Sequence, residues 1–182
     1  MKKVFVFLAE GFEEIEAVAT IDIIRRGGIE VSTVSVSGKL QVTGAHEIAV
    51  SADLLFEQAE LDSGDMLVLP GGMPGAANLK NHSGLGALLK QYATNGKKIA
   101  AICAAPLVLG DLGLLRGKKA VVYPGYEDTL QGAELVQAGI VKDGNIITGK
   151  GPGFVFDFGF AIVEELLGKS QANTVAANML LR

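Results

Sequence analysis

Short apolar runs that do not alternate with polar residues constrain this chain more than any other feature. Val4–Ala9, Met66–Leu69, Lys98–Ile102 and Ile146–Thr148 read as strands buried on both faces. Ile29–Val36, partly alternating, and Ala120–Tyr123 are predicted to be two more. Between them lie helical patterns at Glu14–Arg26, where Ile15, Val18, Ala19, Ile21 and Ile23 recur as an apolar stripe at roughly helical spacing, and at Leu85–Thr94, Phe154–Leu167 and Ala172–Leu181. Gly27-Gly28 closes the first of these and Asn95-Gly96 the second. Lys39–Val50 reads as a small hairpin around Gly44. Buried strands alternating with helices imply an α/β fold, with a mostly parallel sheet covered by helices on both faces.

Sheets of this kind bind ligands at the carboxyl ends of their strands. That rule gathers three segments at one edge: Glu10–Glu16, Pro70–Gly75 and Cys103. Tyr123 and Gly149–Gly153 are predicted to end later strands near the same edge.

The 182 residues suit one domain, spanning residues 1–182. A hydrophobic fraction of 49% against 20% charged residues is a globular balance. A net charge of -4, with no basic run, argues against a nucleic-acid-binding patch. No apolar stretch approaches a membrane span, and the N-terminal run is met at once by Glu10, unlike a signal peptide. One cysteine cannot form an internal disulfide. A cytoplasmic location is the expectation.

Cys103, the lone cysteine, falls between the Lys98–Ile102 strand and a helical start at Ala104–Leu109. Free cysteine usually packs inertly in cores. A strand-to-helix elbow differs, because it pushes the side chain out of the sheet toward unpaired helix N–H groups. The expected result is a lowered thiol pKa and a reactive thiolate. Ala101, Ala104 and Ala105 are small enough for a crowded turn, and Pro106 suits a first helical turn.

Pro70-Gly71-Gly72-Met73-Pro74-Gly75 lacks the endings of phosphate and dinucleotide loops. It is either an ordinary tight turn or one that aims an N–H at a reacting oxygen. Glu13, Glu14 and Glu16 begin a helix, where acidic residues are favourable in any case. Helical geometry turns only one of them toward the sheet edge, and a carboxyl beside a thiolate is pushed toward its protonated form. His46 and His82 read as surface polar residues, and no set of residues has metal-ligand spacing.

Ala9-Glu10-Gly11-Phe12-Glu13-Glu14-Ile15-Glu16, Leu69-Pro70-Gly71-Gly72, Ala101-Ile102-Cys103-Ala104-Ala105-Pro106 and Gly151-Pro152-Gly153, in that order, resemble the ThiJ/PfpI superfamily. Within it the chain is most similar to the branch of the parkinsonism-associated deglycase and its bacterial relatives. The resemblance implies a flavodoxin-like sandwich and a homodimer. It implies that Cys103 is the nucleophile, Glu16 its protonated partner, and the N–H groups of Gly72 and Ala104 an oxyanion hole. Gly71, Tyr123, Arg26, His46 and Pro152 become candidate lining residues. Members are assigned cofactor-free and metal-free activity on methylglyoxal, glyoxal and their adducts with proteins or nucleotides. They are also assigned oxidative-stress sensing and chaperone roles, in which the cysteine oxidises without turnover. Some members carry His where this chain has Tyr123. The protease-like branch carries His where it has Ala104, so a Cys-His-acid peptidase triad is unsupported; a glutamine amidotransferase needs a His downstream of the cysteine, and His46 and His82 both precede it. His46 stands where close relatives carry an Arg that reaches the site from the partner protomer, whereas Arg26 matches.

Overall fold

The computed structural model describes residues 1–181. Its centre is a seven-stranded sheet. The strands of this sheet, with two short pairs beside it, are β1 (Lys3–Leu8), β2 (Glu30–Ser35), β3 (Gln41–Thr43), β4 (Ala49–Ser51), β5 (Leu54–Leu55), β6 (Met66–Leu69), β7 (Lys98–Ile102), β8 (Lys119–Ala120), β9 (Glu134–Leu135), β10 (Ile140–Asp143) and β11 (Ile146–Gly149). The helices are α1 (Glu14–Arg26), α2 (Gly75–Asn81), α3 (Ser83–Thr94), α4 (Pro106–Asp111), α5 (Val155–Leu167) and α6 (Lys169–Asn178).

The sheet runs β10-β11-β7-β6-β1-β2-β5. Its pairings are parallel except β10–β11, a hairpin turned through Gly144-Asn145 with Gly144 at φ 62. The chain leaves β1 toward β2 on one side and β6 on the other, the strand-order reversal where such sheets place their sites. This is the flavodoxin-like arrangement expected from the sequence.

Burial on both faces explains the unbroken apolar runs. Val4, Val6 and Leu8 of β1 enter one core with α1, α5 and α6. Phe5, Phe7 and Ala9 enter a second core with α2, α3 and α4. β6 and β7 divide in the same way, Met66, Val68, Ala100 and Ile102 facing the first core and Leu67, Leu69, Ile99 and Ala101 the second. A polar side chain at any of these positions would be buried without water. Glu165 on α5 clamps two strands by pairing with Lys98 at 2.6 Å and with Lys142.

Three expectations need correction. Ala120–Tyr123 is not a strand of the sheet, since only Lys119–Ala120 is extended in a ladder, parallel to β9. Beyond it, Val121 N–H donates to Thr148 Oγ1 and Tyr123 N–H to the Cys103 carbonyl, isolated bonds that build no ladder. The helix after the elbow starts at Pro106 rather than Ala104 and runs only six residues. Ile15 and Val18, read as part of the apolar stripe of α1, are exposed, and the buried stripe carries Glu16, Ala17, Thr20, Ile21, Ile23 and Ile24.

Candidate active site

Cys103 follows the last residue of β7, and its N–H donates to the Gly149 carbonyl at 2.9 Å. That bond continues the β7–β11 register by one residue and fixes the depth of the elbow. The backbone then turns sharply, with Cys103 at φ 64. A non-glycine residue held in this left-handed region costs about 1–2 kcal/mol and points to function. The side chain is 8% exposed.

Glu16 is brought to it by α1. Glu13 caps the helix, its Oε2 accepting the Glu16 N–H at 2.7 Å, which starts the helical phase that turns position 16 inward. Glu16 is fully buried. Its Oε2 accepts the Gly71 N–H at 2.8 Å. Its Oε1 is buried and has no nitrogen or oxygen partner, which leaves it for the neighbouring Cys103 thiol.

The glycine turn after β6 closes the third side. A Cβ on Gly71 would lie 2.7 Å from Cys103 Cβ and 2.7 Å from Glu16 Oε2, so only glycine fits between the two groups. Gly72 sits at φ 87 with no room for a Cβ against the Glu13 backbone, and Glu13 N–H donates to the Gly71 carbonyl. The turn thus serves close approach of backbone to site, and the N–H groups of Gly72 and Ala104 face the cysteine sulfur.

Burial pushes the Glu16 carboxyl up to about 7, over the opposing hydrogen bonds of Cys103 and Gly71, with the charge of Glu13 adding to the rise. Burial also pushes the Cys103 thiol up to about 12, helped by the negative charge and hydrogen bond of Glu16 and opposed by the Gly72 and Ala104 N–H groups. This corrects the expectation of a helix-stabilised thiolate. The thiol is buried, a carboxylate adjoins it, and α4 begins too late and is too short to outweigh them.

Tyr123 stands beside the elbow. Tyr123 is tied to the Cys103 carbonyl by its N–H at 2.8 Å, and its ring covers Gly151, leaving no room for a Cβ there without a shift. Pro152 follows in a short 3-10 turn, half-buried. Arg26 is not brought to the site within one chain. It lies at the far end of α1, roughly 15 Å along the axis from Glu16, and pairs with Asp22 at 2.7 Å. His46 is turned to its own chain, Nδ1 standing 2.8 Å from Glu14 Oε2. The hydrogen bond and charge of Glu14 hold its imidazole above the usual range. His82 caps α3 through Nδ1 and stacks edge-on against Phe56.

Sequence reasoning missed the capping role of Glu13 and the grouping of Glu13, Glu14 and His46, whose ligand atoms all lie within 4.8 Å. Spacing could not reveal that group, because the β3–β4 hairpin folds His46 back onto α1.

Fold and site define a class: a flavodoxin-like sandwich with a lone cysteine on a strained strand-to-helix elbow, facing a buried glutamate across a glycine turn. The model of the DJ-1/PfpI family matches residues 2–165, and the chain belongs to that family. DJ-1 homolog B of Arabidopsis thaliana is 41% identical over the whole chain, which spans only 42% of that relative's length. A second Arabidopsis homologue, A, is spanned to 47%, so the chain covers about half of these curated relatives. A protein named deglycase from Thermococcus kodakarensis is 33% identical over 85% of this chain and 93% of its own. Among solved structures, Drosophila melanogaster DJ-1beta superposes with a TM-score of 0.96 at 37% identity, covering 100% of this chain and 98% of its own. Oxidized Toxoplasma gondii DJ-1 gives 0.95 at 39%, covering 99% and 98%.

Proposed function

We propose that this protein is a cofactor-free cysteine enzyme acting on methylglyoxal, glyoxal or the adducts they form with proteins or nucleotides. The observation that carries the reading is the buried, otherwise unpartnered Glu16 oxygen beside Cys103 on a strained elbow. The name of the Thermococcus relative supports the deglycase branch of it.

In this reading the thiol proton passes to Glu16 as Cys103 Sγ attacks the aldehyde carbon of methylglyoxal. A carboxyl whose pKa is near 7 exchanges a proton readily at neutral pH. The C–S bond forms, the carbonyl π-pair moves to oxygen, and the N–H groups of Gly72 and Ala104 stabilise the oxyanion until Glu16 hands it the proton taken from the thiol, which leaves Glu16 ionised and ready to act as a base. Glu16 then removes the proton from C1 and returns one to C2, converting the hemithioacetal into a thioester of lactate. Water cleaves the thioester and regenerates the thiol, so that methylglyoxal plus water gives lactate. Tyr123 and Pro152 would shape the rim. A homodimer, through exposed Ile15 and Val18 on α1 and Ile48 on the nearby hairpin, and a cytoplasmic location belong to the same proposal. Among the described residues no helix is long and apolar enough to cross a membrane.

Lactate formation from methylglyoxal without glutathione tests it. The native chain is expected to turn over, and Cys103→Ser to lose activity with an unchanged circular dichroism spectrum. Equal activity in the two proteins, or none in the native chain, overturns it.

A second reading, oxidative sensing, draws on the same donors. Two peroxide molecules would convert the thiol to a sulfinate and release two waters. The Gly72 and Ala104 N–H groups and a protonated Glu16 would then bind its oxygens. The Toxoplasma neighbour, solved in an oxidized form, favours keeping this reading beside the first.

A further inference from the structure

We propose that Thr148 is a positioning residue for the oxyanion hole: its hydroxyl, acting through the Val121–Tyr123 segment, holds the peptide that aims the Ala104 N–H at the reacting oxygen. This role rests on the reading in which Cys103 attacks an aldehyde carbonyl. The Cys103 carbonyl and the Ala104 N–H belong to one planar trans peptide, so they point in opposite directions. Whatever fixes that carbonyl fixes the aim of the N–H. The helix cannot do so. Three residues on, Pro106 has no N–H to give, and four residues on, the Leu107 N–H donates to the Ala104 carbonyl at 3.0 Å. The Cys103 carbonyl instead accepts the Tyr123 N–H at 2.8 Å.

Tyr123 lies in no ladder that could fix its height. Behind it the Val136 N–H donates to the Ala120 carbonyl at 3.2 Å, and ahead of it the Tyr126 N–H donates to the Tyr123 carbonyl at 3.2 Å. Between these anchors Val121 and Val122 are buried, but apolar burial is non-directional and sets no register. The directional anchor is the Val121 N–H, which donates to Thr148 Oγ1 at 3.0 Å. Thr148 is itself buried and stands in β11 between Ala101 of β7 and Val141 of β10. The next residue, Gly149, accepts the Cys103 N–H at 2.9 Å. Consecutive residues of β11 thus hold both sides of the elbow. Gly149 holds the peptide before the Cys103 Cα, and Thr148, through Val121–Tyr123, holds the peptide after it.

Strand stability alone does not account for a hydroxyl at this place. Valine has the same branched shape and suits a buried strand equally well. It would leave the Val121 N–H buried without its acceptor, free to draw the segment away from β11. The Ala104 N–H would then swing off the point where charge develops. That point is charged only in the transition state, so the loss falls on the chemical step and spares substrate binding.

The test compares Thr148→Val with Thr148→Ser in the full chain. Thr148→Val is expected to lower kcat for lactate formation roughly 10-fold, less than outright loss of a donor, with KM changed by no more than about twofold. Thr148→Ser keeps the hydroxyl and should hold kcat within about threefold of the native value. In 15N-resolved NMR spectra the Tyr123 and Ala104 amide signals should move in Thr148→Val and return in Thr148→Ser, while the Gly72 amide stays as an internal control. These signals need no turnover. A native chain that forms no lactate therefore overturns the function, and the Ala104 amide still decides the positioning. Where Thr148→Val does not fold, Thr148→Ala removes the hydroxyl without setting a methyl against Val121 and is read in the same way. A native kcat in Thr148→Val, an equal loss in Thr148→Ser, or an unmoved Ala104 amide overturns the proposal.

Discussion

Cys103 and Glu16 are two buried acids in contact, so the protons they lose belong to the pair. The first leaves at about pH 7 and the second near 12. Thiolate arises within the singly ionised pair when the remaining proton sits on Glu16. Alkylation of Cys103 by iodoacetamide is therefore predicted to rise through about pH 7. Glu16→Gln should erase that step and leave a rise only at or above the ordinary thiol range of about 8.5. A step at pH 7 that survives in Glu16→Gln would show that the pair does not govern the thiol. The same burial affects stability. Because the folded pKa of Glu16 is raised, its contribution is fully present below the ordinary glutamate pKa and is lost as pH rises through about 7. The loss amounts to roughly 3 kcal/mol across that window. Thermal melts between pH 4.5 and 7.5 should show the native chain losing stability relative to Glu16→Gln, and parallel curves would contradict it. At Gly71, alanine would drive a methyl between the two groups. Gly71→Ala is expected to cost about 1–3 kcal/mol and most of the lactate-forming activity, checked by urea titration and assay.

Each element around the site has a different claim on the sequence. α1 was legible to the residue at Glu14–Arg26, because Gly27-Gly28 stops it, and β6 and β7 were legible because both faces are buried. α2 was not, since its seven residues begin directly after Pro74 and are too few for an apolar period to show. Nor was the fate of Ala120–Tyr123, an apolar run in which Val121 N–H goes to Thr148 Oγ1 and Tyr123 N–H to the Cys103 carbonyl instead of to a neighbouring strand. Within α1, spacing allowed one inward carboxylate of three. The Glu13 cap, a local bond that spacing alone does not show, sets position 16 on the stripe with Thr20 and Ile24. On α5, burial alone would raise the Glu165 carboxyl, but the hydrogen bonds of Lys142 and Lys98 outweigh it and hold it low. Its contribution is present above the ordinary glutamate range and lost as pH falls below it. Glu165→Ala should lower the urea midpoint by an amount equal to about 1–2 kcal/mol with an unchanged m-value, the half-exposed lysines softening the effect. An unmoved midpoint would mean the clamp is dispensable.

For the whole molecule, exposed Ile15 and Val18 on α1 are the features least suited to a solitary chain. If they pair two protomers, Val18→Arg should halve the mass measured by light scattering while the circular dichroism spectrum is retained. A native chain that elutes as a monomer would refute the pairing. The site itself is assembled from segments far apart along the chain: Glu13–Glu16, Gly71–Gly72, Cys103–Ala104 and Tyr123, with Gly149 behind the elbow. Parallel pairings of this span form late and together. A growing chain that has just delivered Cys103 to solvent holds a thiol like any other, with a pKa of about 8.5. Its special chemistry appears only when β1, β6, β7 and β11 stand side by side. Being the lone cysteine, it makes the chain its own folding clock: the moment at which its titration departs from that of a free thiol marks the moment at which the sheet has closed around it.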